Sequence, residues 1–221
     1  MTASAPSAQP GLHTPRWERR KESRPAELLA AALDLFVERG YAATRLDDVA
    51  SRAGVSKGTL YLYFANKEEL FTAVVRENIL PLLARFREGI ERSDAEPAAL
   101  LEGFFRAWWA HVGATRLSGI AKLIVSEAGN FPDVARFFHE EVIHPTGELL
   151  ALVIRRGIEC GDFRPLDVEA AAHVWMAPLV MKAISSHSID SCCPLHEQMP
   201  PQRFLDTHVE LVLAALRNPQ R

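Results

Sequence analysis

The stretch from Thr44 to Leu70, TRLDDVASRAGVSKGTLYLYFANKEEL, constrains this chain more than any other. Capping residues and turn residues alternate in it with apolar residues at helical spacing. This pattern predicts short helices joined by tight turns, the arrangement of a helix-turn-helix unit that reads DNA.

Each predicted helix in this stretch has its own start or stop signal. Thr44 and Asp47 have the spacing of a capping box, which predicts a helix directly after Thr44. Gly54 is predicted to end that helix, because glycine adopts a left-handed conformation without strain. Ser56 is predicted to cap the second helix and Asn66 the third.

The second helix, predicted over residues 57–64, turns Leu60 and Phe64 inward and leaves small, polar and aromatic side chains outward. Such a face suits the DNA major groove, where base edges offer hydrogen-bond donors, acceptors and methyl groups. The residues predicted to contact base edges are Lys57, Gly58 and Thr59. Those predicted to contact phosphates are Thr44, Tyr61, Tyr63 and Lys67. Ser56 completes the predicted DNA-binding set. The alternative is a purely structural three-helix bundle.

Residues 24–75 as a whole resemble the N-terminal domain of the TetR family of bacterial transcriptional regulators. The resemblance runs without a gap from ERGYAAT through LDDVASRAGVSKGTLYLYFANKEELF. It implies an all-helical homodimer that binds a palindromic operator in double-stranded DNA and usually represses transcription until a small molecule releases it. Relatives often carry Tyr and then His at the positions of Leu62 and Tyr63.

The composition fits a globular protein outside the membrane. Hydrophobic residues make up 48% and charged residues 24% of the 221 residues. No apolar run approaches the roughly 20 residues of a membrane span, and the N-terminus lacks the apolar core of a secretory signal. With three cysteines, a disulfide framework is not expected. These features predict a cytoplasmic protein with no membrane partner.

Charge is divided unevenly along the chain. Residues 1–67 carry ten Lys and Arg against seven Asp and Glu, whereas residues 68–221 carry 15 against 21, within a net charge of -3. Residues 1–22 are predicted to be a disordered basic arm, which either enters the DNA minor groove or is simply solvated. The positive excess therefore lies where the helix-turn-helix is predicted.

The sequence predicts an all-α fold with two domains. Residues 23–70 form the helix-turn-helix domain, and residues 71–221 form a larger helical domain for ligand binding and dimerisation. A helix from Lys67, kinked at Pro81, connects the two. The last two predicted helices are apolar on more than one face, which suits a four-helix interface across a two-fold axis.

Large aromatic side chains recur in the second domain and predict a pocket for a hydrophobic effector. The predicted ligand-binding residues are Phe104, Trp108, His111, Phe137, Glu141 and Trp175. An ordinary aromatic core is the alternative. Cys192 and Cys193, between His187 and His196, leave open a sensor of soft metals or oxidants, but no metal site and no cofactor is predicted.

These features together predict a ligand-released, DNA-binding repressor. A regulator that works without a ligand, or an activator that works with a protein partner, remains an alternative. A small helical enzyme is the other alternative. It lacks support, because the chain contains no phosphate-binding glycine loop, no H-E-x-x-H and no G-x-S-x-G.

Overall fold

The computed structural model describes residues 16–191, 193 and 199–218, with the backbone alone for residues 16–23 and 191. Within this part of the chain the fold is all-α, as predicted, and the only strand-like pairing is an isolated bridge between Phe163 and Arg217. Residues 1–15 of the predicted arm lie outside the described residues. No helix in the described part is long and apolar enough to cross a membrane.

The helices that lead from the first domain into the second are α1 (Arg16–Ala43), α2 (Leu46–Arg52), α3 (Lys57–Tyr61), α4 (Lys67–Asn78) and α5 (Leu80–Arg92). Those that follow are α6 (Pro97–Trp108), α7 (Ser118–Glu127), α8 (Pro132–Phe138), α9 (His144–Glu159), α10 (Val168–Ser186) and α11 (Pro201–Leu216). Two π-helical turns extend this framework. Trp109–Gly113 follows α6, and His139–Ile143 joins α8 to α9.

Helix α1 is longer than the sequence indicated. It begins at Arg16 instead of Ser23, so Pro25 lies inside the helix and not at its start. The Arg, Glu and Lys residues before Pro25 favour a helix, which accounts for the extension. Gly40 interrupts α1 with φ 83° and ψ 171°, which confirms the predicted stop and uses the conformational freedom of glycine.

The capping predictions have mixed outcomes. Ser56 accepts a hydrogen bond from the Thr59 amide at 3.1 Å, and Asn66 caps α4, as predicted. The capping box at Thr44 is wrong, because Arg45 is the N-cap of α2 and its side chain makes no capping bond. The Thr44 hydroxyl instead donates to the carbonyls that end α1, among them Gly40 O at 2.7 Å.

Bends divide the longer predicted helices. The helix through Pro81 breaks at Ile79, between α4 and α5, and the Asn78 side chain donates to Val74 O at 2.8 Å beside this break. A proline early in a helix lacks only an amide that would be unpaired anyway, so α5 starts just before Pro81. Similarly, α9 starts just before Pro145, directly after the second π-helical turn.

One continuous core runs through both domains. In the first domain, α1 packs against α2 and α4 through fully buried side chains such as Phe36 and Phe71, whose rings meet edge to face at 5.5 Å. In the second, α7 lies directly against α1. A Cβ added to Gly119 of α7 would lie 2.7 Å from Val37 Cγ1, so glycine permits this close approach.

Candidate DNA-binding surface and ligand cavity

The turn between α2 and α3 fixes the position of the predicted recognition helix. Gly54 has a φ of 66°, the left-handed value that was predicted for the end of α2. Ser56 Oγ then caps α3 and also lies 2.8 Å from Thr59 Oγ1. Leu60 and Phe64 are buried as predicted. The helix is therefore held by a cap at its start and by two apolar anchors.

The outward face of α3 is largely solvent-exposed. Lys57, Gly58 and Tyr61 are exposed, whereas Thr59 and Tyr63 are half-buried. A Cβ added to Gly58 would meet only Ser56 Oγ, at 3.9 Å. Glycine is therefore not required there by the fold, which leaves close approach by another molecule as a reason for it.

Leu62 was missed by the sequence analysis. It is 84% exposed, the highest exposure among the large hydrophobic residues in the described part of the chain. The helix was predicted to continue to Phe64, but α3 ends at Tyr61, so the next residue projects from a turn. Its sequence signal is an apolar residue between two outward tyrosines. Such a side chain can contact a thymine methyl group.

Lys57 is engaged within the protein. Its ammonium lies 2.8 Å from Asp47 Oδ2 of α2, and both side chains are more than half exposed. The hydrogen bond to this carboxylate raises the pKa of Lys57. Base contact by Lys57 therefore requires an exchange of Asp47 for a DNA acceptor.

Thr44 and Lys67 are not on α3, and both are held by the end of α1. Thr44 is 1% exposed, and its hydroxyl donates to Leu35 O and Gly40 O. The predicted phosphate contact of Thr44 stays a prediction, and it requires these buried carbonyl bonds to be replaced. The role of Thr44 here is to join the start of α2 to α1.

The ammonium of Lys67 donates to Tyr41 O at 2.7 Å and Ala42 O at 3.1 Å, and it lies 4.5 Å from the centre of the Tyr41 ring. Partial burial lowers the pKa of Lys67, with an opposing contribution from Glu127. Phosphate contact by Lys67 stays a prediction, and it requires these carbonyl bonds to be replaced.

Ion pairs neutralise most other cations around the helix-turn-helix. Arg39 pairs with Asp48 at 3.1 Å, and Arg52 pairs with Glu38 at 2.8 Å. Arg45 is exposed at the start of α2 and makes no ion pair with the described residues. Arg45 is a candidate phosphate contact that the predicted DNA-binding set does not include. Its signal was a cation beside a predicted helix start, where backbone amides also favour anions.

The six predicted ligand-binding residues differ in burial and in packing. Phe104 and Trp108 are buried in the core, and Phe104 packs its ring 5.9 Å from that of Phe86. His111 is exposed, while Phe137 lies under the Arg76 guanidinium at 5.4 Å. Glu141 and Trp175 are half-buried elsewhere. Phe104 and His111 share Phe86 as a neighbour, since the His111 ring lies 6.3 Å from that of Phe86, whereas Phe137 packs against Arg76. A ligand site formed by the six residues stays a prediction.

A cavity of about 580 Å³ lies after the end of α6, among the π-helical turn, the segment before α7, the end of α10 and the start of α11. None of the six predicted ligand-binding residues lines it. Trp109 contributes an aromatic wall, and Arg116, Lys182, His187 and Asp190 contribute polar groups. Its volume is in the range of small-molecule sites.

Two of the residues in the proposed sensor of soft metals or oxidants, Cys192 and His196, lie outside the described residues. Cys193 is exposed and free. His187 Nε2 lies 2.8 Å from Ser118 Oγ, and burial lowers the pKa of His187. No three His, Cys, Asp or Glu side chains in the described part are arranged to hold a metal ion.

Comparisons with known proteins agree with this architecture. The family model described as bacterial regulatory proteins, tetR family, matches residues 28–74, and the model for a tetracyclin repressor-like C-terminal domain matches residues 98–191. The transcriptional repressor KstR2 of Mycobacterium tuberculosis is 35% identical over 149 residues, which cover 66% of this chain and 73% of KstR2. The activator FasR of Mycolicibacterium smegmatis is 39% identical over 98 residues, 43% and 42% of the two chains.

Among solved structures, FadR of Bacillus subtilis in complex with stearoyl-CoA has a TM-score of 0.72 at 20% identity, and the match covers 87% of this chain and 99% of FadR. At this identity the match establishes the fold. The helix-turn-helix on a helical second domain defines a DNA-binding transcriptional regulator, not an enzyme. The chain belongs to the TetR family of bacterial regulatory proteins.

Proposed function

We propose that the protein is a homodimeric repressor that binds a palindromic DNA operator in the cytoplasm and leaves it when a small hydrophobic ligand binds the second domain. The observation that carries this proposal is the outward face of α3. It presents Lys57, Gly58 and Tyr61 to solvent on a helix that is capped and anchored from behind. Such a face can enter the major groove as a rigid unit.

Contacts in the proposed complex fall into two groups. Lys57, Gly58 and Thr59 read base edges, and Leu62 adds an apolar contact beside them. Tyr61 and Tyr63 hold phosphates, with Arg45 as the cation that is free to join them. Few unpaired cations face this surface, so affinity depends on two half-sites bound together.

Dimerisation is supported by an apolar stripe that a single chain leaves uncovered. Exposed residues of α10 recur at helical spacing, and the large ones are Val174 and Met181, each 63% exposed. On α11, Leu211 is 65% exposed. A second copy of the same stripe would cover these side chains across a two-fold axis. This arrangement places two α3 helices on one duplex.

Release by a ligand is supported by the cavity and by Arg116, a residue of its lining that pairs with Asp34 and Glu38 of α1. A ligand in the cavity could therefore act on the DNA-binding domain. KstR2 is a repressor whereas FasR is an activator. The sign of regulation is therefore proposed from the more extensive match, that to KstR2. A ligand-independent regulator would keep its operator affinity with every compound tested.

Selection of bound DNA fragments by the purified full-length protein tests the proposal. We expect a palindrome whose half-site centres lie about 34 Å apart or a multiple of it. Operator affinity should fall steeply with salt concentration. A plot of the logarithm of the association constant against the logarithm of the salt concentration should have a slope of about -0.9 for each phosphate contact. No enrichment above nonspecific background would reject operator binding.

The dimer is tested with matched charge substitutions. Val174→Asp lies on the proposed interface, and Val125→Asp lies on α7 at a similar exposure of 72% in the wild type. Val174→Asp should sediment as a monomer and lose operator affinity, whereas Val125→Asp should remain a dimer. A dimeric Val174→Asp protein would place the interface elsewhere.

A further inference from the structure

The cavity at the end of α6 contains a buried pair of opposite charges. The side chains of Lys182 and Asp190 are only 10% and 11% exposed, and Lys182 Nζ lies 3.9 Å from Asp190 Oδ2. That distance is too long for a hydrogen bond. Asp190 Oδ1 is buried and has no hydrogen-bond partner within the described part of the chain.

An incompletely bonded charge pair of this kind is costly in the free protein. Buried charges are stabilised only when they are both paired and hydrogen-bonded. Here the ammonium and the carboxylate line an open cavity of about 580 Å³, so a ligand can supply the missing bonds. An anionic group would bind Lys182.

Arg116 joins this cavity to the DNA-binding domain. It lines the cavity, and its guanidinium contacts Asp34 at 2.5 Å and Glu38 at 3.5 Å, both on α1. Glu38 also accepts a hydrogen bond from Arg52 of α2 at 2.8 Å. Two successive ion pairs therefore lead from the cavity to the helix that precedes the recognition helix.

We propose that the cavity binds an amphipathic organic anion whose apolar part packs on Trp109 and whose acidic group binds Lys182 and Arg116. The ligand thereby competes with Asp34 and Glu38 for the Arg116 guanidinium. The loss of these ion pairs loosens α1 from α7 and lowers operator affinity. This assignment rests on the proposed ligand-released repressor, and it names the ligand class and the contact that transmits binding.

The test uses 8-anilinonaphthalene-1-sulfonate, a fluorescent anion with two aromatic groups and one N–H donor. Its neutral counterpart is N-phenyl-1-naphthylamine, which lacks the sulfonate. We expect Lys182→Met to weaken sulfonate binding about tenfold or more, the value of one charge-assisted hydrogen bond. Binding of the neutral amine should change little. Equal sulfonate affinity in folded Lys182→Met would overturn the site.

Lys182→Met leaves Asp190 buried without its counter-ion, so it can fail to fold. The double variant Lys182→Met/Asp190→Asn removes both charges and serves in its place, with circular dichroism as the check on folding. It should show the same selective loss of sulfonate binding. Retention of wild-type affinity by the double variant would contradict the proposal.

The connection to DNA is tested by operator affinity with and without the sulfonate. The wild type should lose affinity as the probe binds, and Arg116→Gln should respond much less. Arg136→Gln is the matched control, since Arg136 is an exposed arginine of α8 paired only with Asp133 in the described structure. An Arg116→Gln protein that responds like the wild type overturns the Arg116 connection. A wild type that binds no operator rejects the proposed function instead.

Discussion

The DNA-binding domain and the second domain hold their polar groups in opposite ways. Around α2 and α3, charges such as Lys57 and Asp47 pair on the surface, and the helix start is satisfied by a local cap at Ser56. In the second domain, Lys182 and Asp190 are buried beside a cavity and bonded incompletely. The first arrangement favours one rigid shape, whereas the second leaves free energy to be gained from a ligand.

The largest expected change in the free energy of unfolding comes from a substitution in the core of the DNA-binding domain. Leu60 is fully buried on α3, and Leu62, two residues later, is 84% exposed. Leu60→Ala should lower the free energy of unfolding by about 2–5 kcal/mol. Leu62→Ala should change it by less than about 0.5 kcal/mol. Urea unfolding of both variants measures the contrast, and equal losses would mean that α3 is not anchored as described.

The second-largest loss of stability is expected from a substitution at the contact between α1 and α7. Gly119→Ala places a methyl group against Val37, where the added Cβ would lie 2.7 Å from Cγ1. Overpacking of this kind costs about 1–3 kcal/mol. Gly129→Ala is the control, because its Cβ would meet nothing within 4 Å. If thermal unfolding gives the same midpoint for both variants, the domains do not depend on this contact.

Gly58→Ala separates DNA contact from folding. The new methyl group fits the free protein, and alanine favours a helix over glycine by roughly 0.5–1 kcal/mol. If the backbone of α3 approaches the bases closely, operator affinity should fall about tenfold, as expected for about 1.4 kcal/mol of steric cost. Fluorescence anisotropy with a labelled operator measures it. Undiminished affinity would remove Gly58 from the base-reading set.

The smallest expected effect is the pH dependence of stability. Burial lowers the pKa of His208, whose Nε2 has no partner among the described residues and whose ring lies 4.9 Å from that of Phe105. As the pH falls, His208 therefore binds a proton at a higher pH in the unfolded chain than in the folded chain. The free energy of unfolding should fall as the pH drops below about 6.5. Urea midpoints between pH 7.5 and 5.5 measure the decline.

The matched variants for this effect are His208→Gln and His111→Gln, since His111 is exposed. The decline should be weaker in His208→Gln, because the buried imidazole is gone. It should persist in His111→Gln. A decline of the same size in both variants would assign it to other groups.

Local signals account for what was predictable. Turns and helix caps depend on residues that are close in the sequence, so they could be predicted. Examples are the turns at Gly40 and Gly54 and the caps at Ser56 and Asn66. The buried face of α3 followed from the spacing of its apolar residues alone.

Distant partners account for what was not predictable. Thr44 has the residues of a capping box nearby, but the carbonyls at the end of α1 take its hydroxyl. The cavity joins Trp109 to Lys182 and Asp190, far apart in the chain. No spacing rule indicates which helix ends meet. Aromatic content instead identified rings that turned out to be core, such as Phe104.

Helix α7 connects the cavity to the end of α1, so a small tilt of this helix would displace its far end. Its first turn lies beside the cavity, where Ser118 contacts His187, and its last residue, Glu127, accepts a hydrogen bond from the Ala42 amide at 3.3 Å. Ten helical residues span about 15 Å. A tilt of about 5° around the cavity end would therefore move Glu127 by about 1.3 Å, a shift of the size seen for helices in allosteric transitions. In the proposed mechanism, a bound ligand has to tilt α7 by only that angle.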